Sequence, residues 1–118
     1  MKQRIYKALS AITMQPRSEL ELHETISKLL TAQGIVHRRE VKTNRGTVDF
    51  VIGDIAMEIK IKGGSIDIAR QLIRYLQDPQ FTSLILVTTK AIKLPITEVE
   101  TPEGNKPVFV IELWRNFI

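Results

Sequence analysis

The chain has 118 residues, with 17 Lys and Arg against 13 Asp and Glu for a formal net charge of +4, and it is 43% hydrophobic and 25% charged. This length and balance predict one globular domain over residues 1–118 and exclude a disordered, collagenous or repeat chain. The absence of cysteine excludes a disulfide scaffold, thiolate zinc ligands and a cysteine nucleophile.

The N-terminus is basic (Lys2, Arg4, Lys7), but the apolar stretch Ala8 to Met14 is short and interrupted by Ser10 and Thr13. It reads as a helix over Lys2 to Met14 rather than a secretory leader. No apolar run approaches the roughly 20 residues of a membrane span, so a cytoplasmic protein with no membrane partner is expected. Pro16-Arg17-Ser18 then separates the first helix from a second. Ser18 is its N-cap and Glu21 has capping-box spacing. Leu22, Ile26, Leu29, Leu30 and Gln33 recur at helical spacing until Gly34 ends the helix.

Ile35 to Val41 reads as a strand with a basic face, followed by the turn cluster Thr43-Asn44-Arg45-Gly46. Thr47 to Ile52 and Ile55 to Ile61 form a hairpin across Gly53-Asp54. After Gly63-Gly64 a third helix runs from Ser65 to Gln77, with Ile66, Ala69, Leu72, Ile73 and Leu76 on one stripe, closed by Asp78-Pro79. Leu84 to Thr88 is a short apolar run expected at the centre of a sheet. A loop-rich stretch with Pro95, Pro102, Gly104 and Pro107 leads to a tail strand, Val108 to Leu113. The expected fold is α/β: a mixed central sheet flanked by helices, with a core in α-β-β-β-α-β order over about residues 18–89.

Asp49 lies on the first strand of the hairpin, and Glu58 and Lys60 lie on the second. Strand alternation points Glu58, Lys60 and Lys62 one way and Ile59 and Ile61 the other. The hairpin can bring Asp49 and Glu58 side by side. Two adjacent carboxylates repel, and a shared cation or proton resolves the conflict. Hard oxygens suit Mg²⁺ or Mn²⁺, and a neighbouring lysine can orient a water or stabilise developing charge. The alternative is a solvated face with a cross-strand pair.

Gly46-Thr47-Val48-Asp49 followed by Glu58-Ile59-Lys60 resembles the signature of the PD-(D/E)XK nuclease superfamily. Gln71-Leu72-Ile73-Arg74-Tyr75 on the next helix resembles the Q-x-x-x-Y motif of its RecB-like branch. The resemblance covers about residues 18–89 and implies a restriction-endonuclease-like core. It also implies a metal held by Asp49, Glu58 and the carbonyl of Ile59, with Lys60 positioning the attacking water. It further implies that Gln71 and Tyr75, with Arg74 beside them, reach toward the site or the nucleic-acid backbone. Two readings stay open for Tyr75, that contact or a core anchor.

The family also places a Glu or His on the first core helix, facing the metal: His in RecB-like members, Glu in resolvase-like ones. At about 100° per residue, Glu19 lies near the direction of Ile26 and His23 about 60° aside, whereas Glu21 and Glu24 face solvent. His23 is the first candidate and Glu19 the second, although the glycine that often precedes the family histidine is missing here and His23 reads equally as a half-buried boundary histidine.

The pI of 9.6 and the cluster His37, Arg38, Arg39, Lys42 and Arg45 suit a polyanion, or equally a charged, protected sheet edge. No base-reading module is visible. The expected protein is a Mg²⁺- or Mn²⁺-dependent DNA nuclease, a structure-selective or non-specific endonuclease and a homodimer or subunit of a larger complex. DNA contacts are expected from Arg38, Arg39, Lys42, Arg45, Lys62, Gln71, Arg74 and Tyr75. The tail residues Trp114, Phe117 and Ile118 offer a dimer surface or equally fold back onto the core, the commoner fate of a terminal aromatic. The rivals are a catalytically silent nucleic-acid-binding module of the same fold and a subunit whose basic face docks an acidic protein.

Overall fold

The computed structural model describes residues 1–13, 15–89 and 91–113. Helix α1 spans Lys2–Leu9, shorter than the expected Lys2–Met14. The Ser10 hydroxyl donates to Lys7 O at 2.6 Å, a local bond that competes with helix continuation. Met14 lies outside the described residues. Helix α2 spans Glu19–Ala32, and Ser18 Oγ accepts from Glu21 N–H at 3.1 Å. The capping box is only half formed, because the Glu21 carboxylate turns to the backbone and guanidinium of Arg17 instead. At the other end Gly34 has φ +70°. Gly34 N–H donates to Thr31 O and Ile35 N–H to Leu30 O, so the helix closes in a Schellman motif.

Strand β1 is Arg38–Thr43, later than the expected Ile35–Val41, because Ile35 completes that helix exit. Strands β2 (Gly46–Ile52) and β3 (Ile55–Lys60) form the expected hairpin, with Gly53 at φ +60° in its turn. Helix α3 covers Ser65–Leu76 and buries Ile68, Ala69, Leu72, Tyr75 and Leu76. The expected stripe is corrected here. Ile66 and Ile73 are 61% and 37% exposed, because Ile68 and Tyr75 rotate the buried face toward the β1–β2 hairpin. Strand β4 is Ser83–Thr88. The loop-rich stretch holds a strand that the sequence reading missed, β5 (Glu98–Thr101), and the last strand, β6, is Gly104–Glu112 rather than starting at Val108. Pro107 is tolerated because pairing with β4 begins only at Val108. The tail residues Trp114, Phe117 and Ile118 lie outside the described residues.

The six strands form one mixed sheet in the order β1-β2-β3-β4-β6-β5. The β3–β4 and β4–β6 pairs are parallel and the others antiparallel. The expected α-β-β-β-α-β order is realised as α2–β1–β2–β3–α3–β4, with α3 as the crossover that a parallel pair requires. Buried residues form two clusters. One joins Ile5, Leu9, Leu22, Ile26 and Leu30 of α1 and α2 to Phe50, Met57, Ile59 and Val87. The other joins Leu72, Tyr75 and Leu76 of α3 to Val48, Ala56, Leu84 and Leu86. Lys106, 4% exposed, closes the end of α3: its Nζ donates to Leu76 O, Asp78 O and Glu103 Oε1. Among the described residues, no helix is long and apolar enough to cross a membrane.

Candidate active site

The β2–β3 hairpin starts at the Gly53-Asp54 turn and pairs Ile52 with Ile55, Val51 with Ala56 and Phe50 with Met57. There the ladder stops. In a regular antiparallel ladder the next bonds would link Ile59 with Val48 on one side and Asp49 with Glu40 of β1 on the other. Instead Asp49 N–H donates to Glu58 Oε1 at 2.8 Å, and Ile59 N–H donates to Asp49 Oδ2 at 2.8 Å. Two carboxylates have taken the place of two ladder carbonyls. The β1–β2 register skips the Glu40–Asp49 pair as well, and Glu40 has φ +50°, a left-handed conformation costly for a residue with a Cβ. The N–H and C=O of one strand residue face the same edge. The carbonyl of Ile59 therefore faces the same gap as its N–H.

Glu58 is 2% exposed. Burial, then the charge of Asp49, pushes its carboxyl up to about 8. Asp49 is raised too, chiefly by burial, against the opposing pull of the Ile59 N–H and the charges of His23 and Lys60. Lys60 Nζ stands 3.9 Å from Glu58 Oε2 and is 28% exposed, so it reaches both the carboxylate and solvent. His23 comes from α2. Its Nε2 is 3.8 Å from Asp49 Oδ2, beyond hydrogen-bond reach, and it is buried with no hydrogen-bond partner. Glu19, one turn earlier, is exposed, and its charge adds to the upward pressure on both carboxylates. His23 therefore borders the pair and Glu19 acts on it only through its charge, whereas Glu21 pairs with Arg17 and Glu24 with Arg39.

Phe50, which the sequence reading did not single out, sits between two imidazoles. The rings of His23 and His37 lie 5.9 and 5.8 Å from its centroid. His37 itself is structural. Ile35 O can only accept, so Nδ1 carries the proton toward it at 2.9 Å, and in the neutral ring Nε2 accepts from the Ser27 hydroxyl at 2.8 Å. The signal in the sequence was the spacing of aromatic and histidine residues around Asp49, legible only once α2 and β1 are known to lie side by side.

The expected nucleic-acid residues divide. Arg38, Lys42, Arg45, Lys62 and Arg74 are exposed. Arg39 is half-buried, paired with Glu24 at 3.0 Å and lying over Phe50. Tyr75 is corrected as a contact residue: it is buried, accepts from Gln71 Nε2 at 2.9 Å and donates to Thr47 O at 2.9 Å. Of its two open readings the core anchor is the one realised. Burial, with the charge of Glu58 behind it, raises its phenol above the ordinary value.

Among the described residues, no three His, Asp or Glu side chains converge on a single point. The donor set is the Asp49–Glu58 pair, with the unpartnered Nε2 of His23 at its rim. One buried and one half-buried hard carboxylate with an orphaned imidazole nitrogen fit a divalent cation. Comparison with protein-family models, with curated proteins and with solved structures finds no match to this chain.

Proposed function

We propose that this chain is a divalent-metal-dependent DNA nuclease of the PD-(D/E)XK type, with a restriction-endonuclease-like core, that hydrolyses phosphodiester bonds. The observation that carries this reading is the buried Glu58 carboxyl against the half-buried Asp49 carboxyl, two acids that resist joint ionisation, beside an unpartnered histidine nitrogen, at the point where β2 and β3 part. A structural pair would have been given cationic partners in close contact, and here the nearest ammonium among the described residues is 3.9 Å away.

Asp49, Glu58 and the Ile59 carbonyl would hold Mg²⁺ or Mn²⁺, with His23 as the helix ligand and Glu19 next in line. Bound there, the cation supplies Lewis acidity and neutralises phosphate charge. Lys60 orients the water that attacks phosphorus and stabilises charge developing in the transition state. Water adds across the P–O bond, and one side of the broken backbone keeps the phosphate while the other leaves as an alcohol. Arg38, Lys42, Arg45, Lys62 and Arg74 give sequence-independent phosphate contacts whose affinity falls with salt. Such contacts favour structure-selective or non-specific cleavage. A homodimer would let two sites act on both strands.

The test is cleavage of linear, nicked, branched and circular DNA with Mg²⁺ or Mn²⁺ against EDTA. The expected result is cleavage that needs the metal. Lys60→Ala should lose single-turnover rate by about 10²-fold or more while binding DNA nearly as well as the wild type. A Lys60→Ala protein that loses affinity but keeps its rate would reduce Lys60 to a phosphate contact. Metal-independent DNA binding with no cleavage of any substrate would sink the enzymatic reading.

A further inference from the structure

Residues two apart on a regular strand share a face, yet the β1–β2 hairpin breaks that rule on both strands. Arg39 and Phe50 lie toward α2, whereas Val41 and Val48 pack in the cluster on the α3 side. The hairpin therefore turns over at Glu40 and Asp49, where the register skips and Glu40 is strained. Beyond the turn, α3 grips the tip. Tyr75 OH donates to Thr47 O at 2.9 Å, Gln71 Nε2 donates to that same hydroxyl at 2.9 Å, and Arg74 Nε donates to Arg45 O at 3.1 Å. The Tyr75 ring lies against Gly46, where a Cβ would come within 3.2 Å of Cε1.

We propose that Tyr75 is a positioning residue: by holding Thr47 it keeps the hairpin turned over, and the turn delivers the Asp49 carboxylate to Glu58. This rests on the reading of Asp49 and Glu58 as a cation site. A hairpin that relaxed to regular alternation would recover the Ile59–Val48 and Asp49–Glu40 ladder bonds. It would also swing Val48 to the face of Phe50 and withdraw Asp49 from Ile59. The hydroxyl of Tyr75 opposes that relaxation with a directional bond on the far side of the turn. Its donor and its acceptor capacity are both in use, so it acts on the substrate only through Asp49.

Mn²⁺ titration of the 118-residue chain, followed by the electron paramagnetic resonance of the free ion well below the melting temperature, tests this. Wild type, Tyr75→Phe, Gln71→Met and Asp49→Ala are compared, with circular dichroism and DNA binding in EDTA measured alongside. Tyr75→Phe should weaken Mn²⁺ binding about ten-fold, Gln71→Met should weaken it less, and DNA affinity in EDTA should stay at the wild-type level for both. Wild-type Mn²⁺ affinity in Tyr75→Phe with only a lower melting temperature would make Tyr75 a plain core residue and overturn the proposal. So would lost DNA affinity with unchanged Mn²⁺ affinity. If Tyr75→Phe does not fold, Gln71→Met decides, because it keeps the ring, and unchanged Mn²⁺ affinity there is equally fatal. A wild type that binds no Mn²⁺, or an Asp49→Ala variant that binds it as tightly as wild type, removes the cation site itself and this inference with it.

Discussion

Among the described residues one carboxylic and one amine side chain are almost fully buried, and their surroundings are opposite. Lys106, at the end of α3, has three N–H donors and three oxygen acceptors, two of them carbonyls and one a carboxylate. Its positive charge also meets the negative end of the helix dipole. Glu58, on β3 where β2 parts from it, has one backbone N–H, an ammonium at 3.9 Å and a second carboxylate beside it. A buried charge that is fully hydrogen-bonded holds a fold together. A buried carboxyl left next to a second carboxylate instead gives up its charge unless a counter-charge is brought to it, and perturbed carboxyls of that kind are enriched where chemistry is done.

The strongest way to break the comparison is to remove the repelling pair. Asp49→Ala or Glu58→Ala should abolish Mg²⁺-dependent cleavage, a loss of about 10²–10³-fold or more, while raising the melting temperature of the metal-free protein. Cleavage assays beside thermal melts check both halves, and wild-type cleavage in both variants would end the assignment. Lys106→Ala should do the reverse. It should cost roughly 3 kcal/mol in urea unfolding, because three acceptors lose their donor in a buried setting, and leave Mn²⁺ affinity untouched.

Acidity separates the two regions next. The Glu58 carboxyl titrates near 8 in the folded chain, against an ordinary value of 4.5. Between those values the folded state holds a proton that the unfolded state releases. Stability of the metal-free protein should be greatest below that window and should fall as pH rises through it. Glu58→Gln should flatten the profile, and Mg²⁺ should restore stability at the alkaline end by binding the folded state. Urea midpoints across the range measure this, and a wild-type profile that rises over the same interval would contradict it.

Smaller effects sharpen the boundary of the site. His23→Ala should weaken Mn²⁺ binding about ten-fold, whereas Glu21→Ala and Glu24→Ala, whose carboxylates are spent on Arg17 and Arg39, should leave it unchanged. A dead Glu24→Ala beside fully active His23→Ala and Glu19→Ala would mean that α2 is phased differently. Least of all, Glu40→Gly should change stability by about 1 kcal/mol or less, since relief of the left-handed strain is partly offset by the entropy of glycine. Glu40→Val should be clearly destabilising in the same unfolding assay.

The pairing of Asp49 with Glu58 was legible because Gly53-Asp54 fixes the register of the hairpin, and register fixes which residues stand opposite. The phase of α2 was legible from Leu22, Ile26 and Leu30, which are its buried residues, and it sets His23 within 3.8 Å of Asp49. The turn-over of the hairpin was not legible, because no glycine, proline or insertion marks Glu40 or Asp49; the signal is long-range, in α3. The same α3 contacts explain the misplaced Ile66 and Ile73. An i, i+4 spacing shows that Gln71 and Tyr75 share a face, but not which flank of the helix turns to the sheet. β5 escaped notice because it is four residues long and alternates only Val99 and Thr101 inward. Lys106 escaped because its acceptors at Leu76 and Asp78 are distant in the chain.

The exchange of ladder carbonyls for carboxylates has a spectroscopic consequence. The amide protons of Asp49 and Ile59 are bonded to ionisable oxygens, which makes them resident indicators of charge at the centre of the molecule. Their nitrogen–proton correlation peaks should shift further than those of the neighbouring strand amides when the carboxylates change protonation. Filling the gap with diamagnetic Mg²⁺ should move the same two peaks, without a label, a substrate or a mutation.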